Sequence, residues 1–158
     1  MKKLSLRSLI PNLFTFISLT FGLTAIKFAI EQKWQISVSL IVFASFLDNI
    51  DGKLARLLKT NSDFGVELDS LSDFLVFGTI PPITIYFWMG GTENQYLWIV
   101  AVLFIICSAL RLARFNSELS DKPTYAKNYF SGIPTPAAAF LALFPITGLE
   151  IFDLNEFK

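Results

Sequence analysis

Five apolar stretches constrain this fold more than any other feature of the sequence, because each approaches the length of a bilayer-spanning helix. They cover residues 9–30, 34–58, 70–90, 95–114 and 132–151. A membrane-spanning α-helix needs about 20 predominantly apolar residues, and 53% of the 158 residues are hydrophobic while only 16% are charged. We therefore predict an all-α fold, a polytopic transmembrane helical bundle that forms one integral membrane domain over residues 1–158.

The basic residues predict the orientation of this bundle. Most of the 13 Lys and Arg residues fall on one side of the predicted membrane. They are Lys2, Lys3, Arg7, Lys53, Arg56, Lys59, Arg111, Arg114, Lys122 and Lys127. Cytoplasmic loops carry an excess of Lys and Arg, so we expect the amino terminus to face the cytoplasm. The first stretch lacks a small-residue cleavage site and is expected to be a retained helix rather than a signal peptide.

Composition excludes several kinds of functional site. The chain contains no His and a single cysteine, Cys107, which excludes Ser-His triads, zinc-histidine sites, cysteine-cluster metal sites and internal disulfides. Its net charge of zero argues against a nucleic-acid partner, because such proteins carry a basic excess. Any chemistry would have to use carboxylates, Lys, Arg, hydroxyl groups and bound ions.

The second apolar stretch ends in charged residues that share one helix face. At 100° per residue, Asp48 and Asp51 lie about 60° apart. Gly52 and Ala55 lie beside them, and Arg56 lies at the edge of the same face. The two small residues leave room for a large group to approach the backbone, and a guanidinium suits a phosphate oxygen.

A second pair of carboxylates follows on the next helix. Asp69 and Asp73 are four residues apart and therefore share a face. A chain reversal around Gly65, whose backbone is permissive, would bring the two acidic faces together. Four carboxylates near a membrane need a compensating positive charge. Hard oxygen ligands suit Mg²⁺ or Mn²⁺, and two such ions form a clamp for displacement at phosphorus.

Two other interpretations of the acidic residues stay open. Charges at the ends of spans often only anchor helices among lipid headgroups, and intramembrane carboxylates also mark ion transporters. A transport pathway, however, predicts acids spread along the depth of several helices, whereas these lie at one end of two. The placement of Gly52 and Ala55 between the acids favours a binding site over simple anchoring.

The spacing of eight residues resembles the signature of the CDP-alcohol phosphotransferases. The pattern D-x2-D-G-x2-A-R-x8-G-x3-D-x3-D runs from Asp48 to Asp73. Members of this family move a phosphoryl-alcohol group from a CDP-linked donor to an acceptor hydroxyl and release CMP. The resemblance implies two divalent cations, Mg²⁺ or Mn²⁺, held by Asp48, Asp51, Asp69 and Asp73, with Asp73 also acting as general base. The residues that it implies for binding the CDP-linked donor are Asn12, Thr15, Gly52, Ala55, Arg56, Ser62 and Gly65.

Three further segments resemble the bacterial and archaeal phosphatidylserine synthase branch of this family. They read "IPNLFTFISLTFGLTAI" from residue 10, "ALRLARFN" from residue 109 and "YFSGIPTPAAA" from residue 129. This resemblance implies phospholipid biosynthesis from CDP-diacylglycerol and L-serine, by a homodimer in the inner membrane with its active site facing the cytoplasm. A guanidinium binds a carboxylate bidentately, so the candidate serine-binding residues are Arg111, Arg114, Asn116 and Ser131. Both arginines could instead be membrane anchors, and the prolines of the last segment are assigned no chemistry.

Two alternative functions stay open, and so does the extent of the domain. A sister enzyme with glycerol 3-phosphate or inositol phosphate as acceptor should need a denser basic cluster, although Arg111 and Arg114 are compatible with it. The alternative from another class is a divalent-cation transporter. The family core has six transmembrane helices and this chain shows about five, so we expect a domain truncated at its carboxyl end.

Overall fold

Every secondary-structure element in the computed structural model is helical within the residues that it describes, which are 6–58, 63–91, 93–121 and 134–153. A π-helical segment, Phe74–Thr79, joins the third and fourth α-helices without a break, so these three elements form one continuous rod. The all-α prediction is confirmed. The helices are α1 Leu6–Ile30, α2 Trp34–Leu58, α3 Asp63–Asp73, α4 Ile80–Trp88, α5 Gln95–Asp121 and α6 Thr135–Asp153.

Three helical stretches among the described residues are long and apolar enough to cross a membrane. They are Asn12–Ile30, Phe64–Trp88 and Gln95–Ser117. A shorter apolar stretch, Thr135–Gly148, lies in α6. The helix α2 is not among the three, because its apolar run gives way to charged residues from Asp48 onward. The structure thus supports the predicted helical membrane bundle.

The first two helices pack along their lengths as an antiparallel pair. A short turn at Glu31–Lys33 connects them. The hydroxyl of Ser18 donates to the carbonyl oxygen of Ala44 at 2.9 Å, and the hydroxyl of Ser37 donates to that of Ala25 at 2.8 Å. Small polar contacts of this kind support helix association in membranes, and these two fix the register of α1 against α2.

Two glycines allow the π-helical segment to approach its neighbours closely. A Cβ atom at Gly22 of α1 would lie only 2.9 Å from Cγ2 of Val76. A Cβ atom at Gly78 would lie 3.1 Å from Cβ of Ser108 on α5. The rod formed by α3, the π-helical segment and α4 is therefore held between α1 and α5.

Two apolar clusters form the core between the helices. One lies deeper in the bundle, and the other, which we call the floor cluster, lies nearer the acidic residues. The deeper cluster contains Ala25, Val38, Ile41, Ile80, Leu143 and Ile146. The floor cluster contains Ala44, Val76, Phe77 and Ala139.

Candidate active site

The register of α1 against α2 sets the height of the first acidic residue. Ser18 lies opposite Ala44 and the two helices run in opposite directions. Thr15, three residues before Ser18, therefore lies at about the level of Asp48, four residues after Ala44. Thr15 is 4% exposed and Asn12, one turn further along, is 7% exposed. The structure thus buries both first-helix residues of the predicted nucleotide site.

The packing of α1 against the rod formed by α3, the π-helical segment and α4 sets the height of the carboxylates on α3. The helix α1 and this rod run in the same direction, and Gly22 of α1 packs against Val76 of the rod. Thr15, seven residues before Gly22, therefore lies at about the level of Asp69, seven residues before Val76. Asp73 follows one turn later on the same rod. Helix packing thus gathers three of the four predicted aspartates at one end of the bundle, in a polar layer that spans about one helical turn. Asp48 and Asp69 lie at about one level, and Asp73 lies one turn further in.

The floor cluster closes this layer on the side of the membrane core. Asp48 lies one turn beyond the α2 member of the cluster, and Asp73 lies one turn before its π-helical members. Thr135 lies one turn before its α6 member. Polar side chains from α2, α3 and α6 therefore rest on a shared apolar base.

Burial distinguishes the polar side chains of this layer from ordinary surface residues. One carboxylate oxygen of Asp48 and one of Asp73 are buried. Ser72 is 2% exposed, and its hydroxyl has no hydrogen-bond partner within the described part of the chain. Burying a polar group costs free energy unless it is satisfied, and intramembrane polar groups usually have a function. The layer therefore has the properties of a binding site rather than of a packing interface.

Space is available beside the acidic faces. Where the structure describes them, α2 and α3 make little direct contact, while α1 packs against both. A Cβ atom at Gly52 would meet no atom within 4 Å, in contrast to the crowded glycines in the middle of the bundle. Open volume therefore borders the helix face on which the sequence predicted a nucleotide.

The metal-binding prediction concerns four carboxylates, of which three have described side chains. No group of three or more acidic residues among the described side chains is arranged to hold a metal ion. The fourth residue, Asp51, lies in α2, but its side chain is outside the described set. The predicted four-carboxylate set therefore stays a prediction. The donors fit a hard divalent cation because they are carboxylate oxygens, and one such oxygen of Asp48 and one of Asp73 are buried.

The candidate acceptor residues on α5 have different surroundings. Nη1 of Arg111 donates a hydrogen bond to Oγ1 of Thr135 on α6 at 2.6 Å. The side-chain amide of Asn116 donates to the hydroxyl of Ser70 on α3 at 3.2 Å. Arg114 is exposed. Of the two arginines that the sequence predicted together, only Arg111 is half-buried against a neighbouring helix.

One sequence expectation is wrong. The chain does not reverse around Gly65, because α2 ends at Leu58 and α3 begins at Asp63, so that Gly65 lies in the first turn of α3. Ser62 and Ser131 lie outside the described residues, and the side chains of Ala55 and Arg56 are also not described.

Three polar residues of the site were missed by reasoning from sequence. Ser70 and Ser72 lie between the two aspartates of α3, and Thr135 begins α6. The serines stand inside the signature at positions where it permits any residue. Thr135 lies between two prolines that were assigned only to the start of a helix, and its spacing from Arg111 gave no signal.

The sequence model of the CDP-alcohol phosphatidyltransferase family matches residues 8–155. The chain belongs to this family. CDP-alcohol phosphatidyltransferases depend on divalent cations, which agrees with the carboxylate layer described above. Family membership and the apolar helices together make the chain an integral membrane protein.

Several relatives of this chain are named CDP-diacylglycerol–serine O-phosphatidyltransferase. The protein of Mycobacterium leprae is 40% identical over 133 residues, which are 83% of this chain and 44% of that protein. The protein of Helicobacter pylori (strain 26695) is 41% identical over 135 residues, 85% of this chain and 56% of that protein. The protein of Bacillus subtilis is 36% identical over 129 residues, 82% of this chain and 70% of that protein. The chain thus spans about half the length of the first two.

Proposed function

We propose that this chain transfers the phosphatidyl group of CDP-diacylglycerol to the hydroxyl of L-serine and releases CMP. The observation that carries the proposal is the polar layer at one end of the bundle, where helix packing gathers signature aspartates of α2 and α3 above an apolar floor. The names of the relatives support the substrates, because proteins from distant organisms match more than 80% of this chain.

Asp73 is the proposed general base. It is the last residue of α3 and carries a buried carboxylate oxygen. In the proposed reaction it accepts the proton of the serine hydroxyl, and the serine oxygen then forms a bond to the lipid-bearing phosphorus of CDP-diacylglycerol. The bond from this phosphorus to the bridging oxygen breaks, and CMP leaves with that oxygen. This single displacement needs no covalent enzyme intermediate.

The four aspartates are proposed to hold two divalent cations, Mg²⁺ or Mn²⁺. When bound, such ions would neutralise charge on the diphosphate. Asp48, Asp51, Asp69 and Asp73 are the proposed ligands. The chain's own contribution is to present hard oxygen donors in a layer that the floor cluster shields from the membrane core.

The donor's nucleotide is proposed to bind along α1 and α2. Asn12 and Thr15 are buried at the level of the aspartates, and open volume lies beside Gly52. The remaining proposed contacts follow the family signature. They are Ala55, Arg56, Ser62 and Gly65.

Serine is proposed as the acceptor because few basic residues lie near the layer among the side chains that the structure describes. A phosphate-bearing acceptor, such as glycerol 3-phosphate or inositol phosphate, should require several converging cations. Arg111 is half-buried against α6, whereas Arg114 is exposed, which favours a single carboxylate. Asn116 and Ser131 are the other proposed acceptor residues. The apolar floor beneath the layer argues against a transport path for divalent cations through the bundle.

The site is proposed to face the cytoplasm from the inner membrane, because cytoplasmic segments carry the excess of Lys and Arg. A homodimer is proposed as well. The membrane-length stretch of α5 is only 6% buried within one copy, so lipid and a second copy are both available to cover its apolar surface.

Comparison of acceptors tests this function. Purified protein is given Mn²⁺ or Mg²⁺ with CDP-diacylglycerol and, in separate reactions, L-serine, glycerol 3-phosphate, inositol phosphate or no acceptor. We expect CMP and phosphatidylserine in equal amounts with serine alone. Glu67→Gln is the matched control, because Glu67 is an exposed acid of α3 outside the signature, and it should retain activity.

Two outcomes contradict the proposal in different ways. CMP release only with a phosphate-bearing acceptor would remove the serine assignment but keep the family's chemistry. The absence of release with every acceptor, together with flux of divalent cations into liposomes containing the protein, would replace the enzyme by a transporter.

A further inference from the structure

One hydrogen bond, made by Nη1, holds the guanidinium of Arg111. Nη1 donates to Oγ1 of Thr135 at 2.6 Å, and this bond links α5 to the first residue of α6. Thr135 is itself only 6% exposed, so the bond is protected from water. A buried bond to a charged donor is stronger than one between neutral groups, and it restricts the rotation of the guanidinium.

The opposite edge of the same guanidinium includes Nε, a second buried donor. Nε of Arg111 is buried and has no hydrogen-bond partner in the part of the chain that the structure describes. A buried donor that lacks a partner is costly. Nε and Nη2 form the edge of arginine that binds a carboxylate with two parallel hydrogen bonds. Because Thr135 occupies Nη1, this edge is the one left for an anion.

The packing of α5 brings this edge near the level of the proposed base. Gly78 lies against Ser108, and Asn116 bonds to Ser70. Both contacts fit the same antiparallel alignment of α5 with the rod formed by α3, the π-helical segment and α4. In that register Arg111 lies about half a helical turn, roughly 3 Å along the axis, from the level of Asp73. Two carbon atoms separate the carboxylate of serine from its hydroxyl oxygen, so the molecule matches this offset.

We propose that Thr135 is a positioning residue that turns the Nε–Nη2 edge of Arg111 toward the carboxylate of the acceptor and thereby sets the preference for an acceptor with a carboxylate. The inference rests on the proposed function, because serine supplies the carboxylate. Thr135 acts through Arg111 and does not contact the reacting atoms. Its hydroxyl accepts from Arg111 and retains its own proton for donation.

The test compares two acceptors in variants of Thr135. Thr135→Val removes the hydroxyl and keeps the shape, and Thr135→Ser restores the hydroxyl. The acceptors are L-serine and 2-aminopropane-1,3-diol, which has the same hydroxyl and amine but no carboxylate. For Thr135→Val we expect about a 10-fold higher KM for serine, an unchanged KM for CDP-diacylglycerol, and a preference for serine over the diol that falls by the same factor. Thr135→Ser should stay within about twofold of the wild type.

Two further variants separate positioning from a general structural effect. In an Arg111→Ala background, Thr135→Val should add little, because the residue through which it acts is gone. Thr147→Val is the matched control on the same helix, since the hydroxyl of Thr147 donates only within α6, to the carbonyl oxygen of Phe144 at 3.0 Å. It should leave both KM values unchanged.

Each contrary result has a distinct meaning. If the wild type makes phosphatidylserine and Thr135→Val keeps its KM for serine and its preference, the positioning role is overturned and the proposed function stands. Equal losses with both acceptors would also overturn it, in favour of a structural role. If the wild type does not use serine, the proposed function fails and this inference fails with it. If Thr135→Val does not fold, Arg111→Lys is used in its place, because lysine cannot form two parallel hydrogen bonds with a carboxylate. We expect Arg111→Lys to lose the preference for serine and Thr135→Ser to retain it.

Discussion

The two ends of the helical bundle handle their polar residues in opposite ways. At the end away from the acidic layer, α1 turns into α2 through exposed charges that pair with one another. Nζ of Lys33 lies 2.8 Å from a carboxylate oxygen of Glu31, and Nζ of Lys27 lies 3.7 Å from the other. Exposed pairs of this kind contribute little to stability, so this end is an ordinary solvated turn.

At the other end, buried polar side chains come from three helices, α1, α3 and α6. Asn12, Thr15, Ser72 and Thr135 are all less than 9% exposed. Burial of such groups opposes folding unless ligands or partners satisfy them. Natural proteins accept this kind of cost mainly where function requires it. The two ends therefore differ in the burial of their polar groups, although both contain acids and bases.

Asp73→Asn should give the largest effect of any change at the site end. The amide keeps the size of the side chain but cannot act as a base, and general-base catalysis contributes about 10²- to 10⁴-fold. We expect kcat for CMP release to fall by that factor, while binding of CDP-diacylglycerol, measured at equilibrium, is largely retained. Full activity of this variant, at the level of the Glu67→Gln control, would exclude Asp73 as the base.

Gly52→Val should weaken binding of the donor without weakening the fold. A side chain at Gly52 would enter open volume, which is proposed to hold the nucleotide. Steric costs of about 1–3 kcal/mol correspond to roughly a 5- to 150-fold rise in KM for CDP-diacylglycerol. The unfolding temperature in detergent should not fall. An unchanged KM would show that the nucleotide does not approach this part of α2.

The sequence predicted the helices well because hydropathy alone specifies them. The predicted segment 34–58 agrees with α2 at both ends, and the segment 95–114 lies within α5. Hydropathy does not show how the helices align against one another, so the π-helical segment was not predicted. Its form depends on long-range packing, such as that of Gly78 against Ser108, and on the missing N–H groups of the two prolines that follow.

The site was predictable only where a signature recorded it. Asp48, Asp69 and Asp73 were selected by spacing, and packing against α1 brings them to one end of the bundle. Thr135 was not selected, because its bond to Arg111 joins residues 24 positions apart. Such contacts arise from the packing of α5 against α6 and leave no local pattern in the chain.

Gly22→Val should do the reverse of Gly52→Val and weaken the fold. Its Cβ atom would lie 2.9 Å from Cγ2 of Val76 and 3.1 Å from Cδ1 of Ile80. Overpacking of this kind costs about 1–3 kcal/mol. We expect a lower unfolding temperature in detergent, with KM for CDP-diacylglycerol unchanged in the protein that remains folded. A selective rise in KM, with normal stability, would mean that the site extends into the middle of the bundle.

Glu31→Gln should have the smallest effect, because it changes an exposed ion pair at the end of the bundle away from the acidic layer. The hydrogen bond from Lys33 lowers the pKa of Glu31 below its ordinary value of 4.5. A carboxylate whose pKa is lower in the folded state stabilises the fold above its unfolded-state pKa and loses that contribution as the pH falls through the folded-state pKa. The small difference in unfolding temperature between the wild type and Glu31→Gln should therefore be present at pH 7 and vanish at strongly acidic pH. CMP release at pH 7 should be the same for both proteins, and a large loss of activity would show that the two ends of the bundle are coupled.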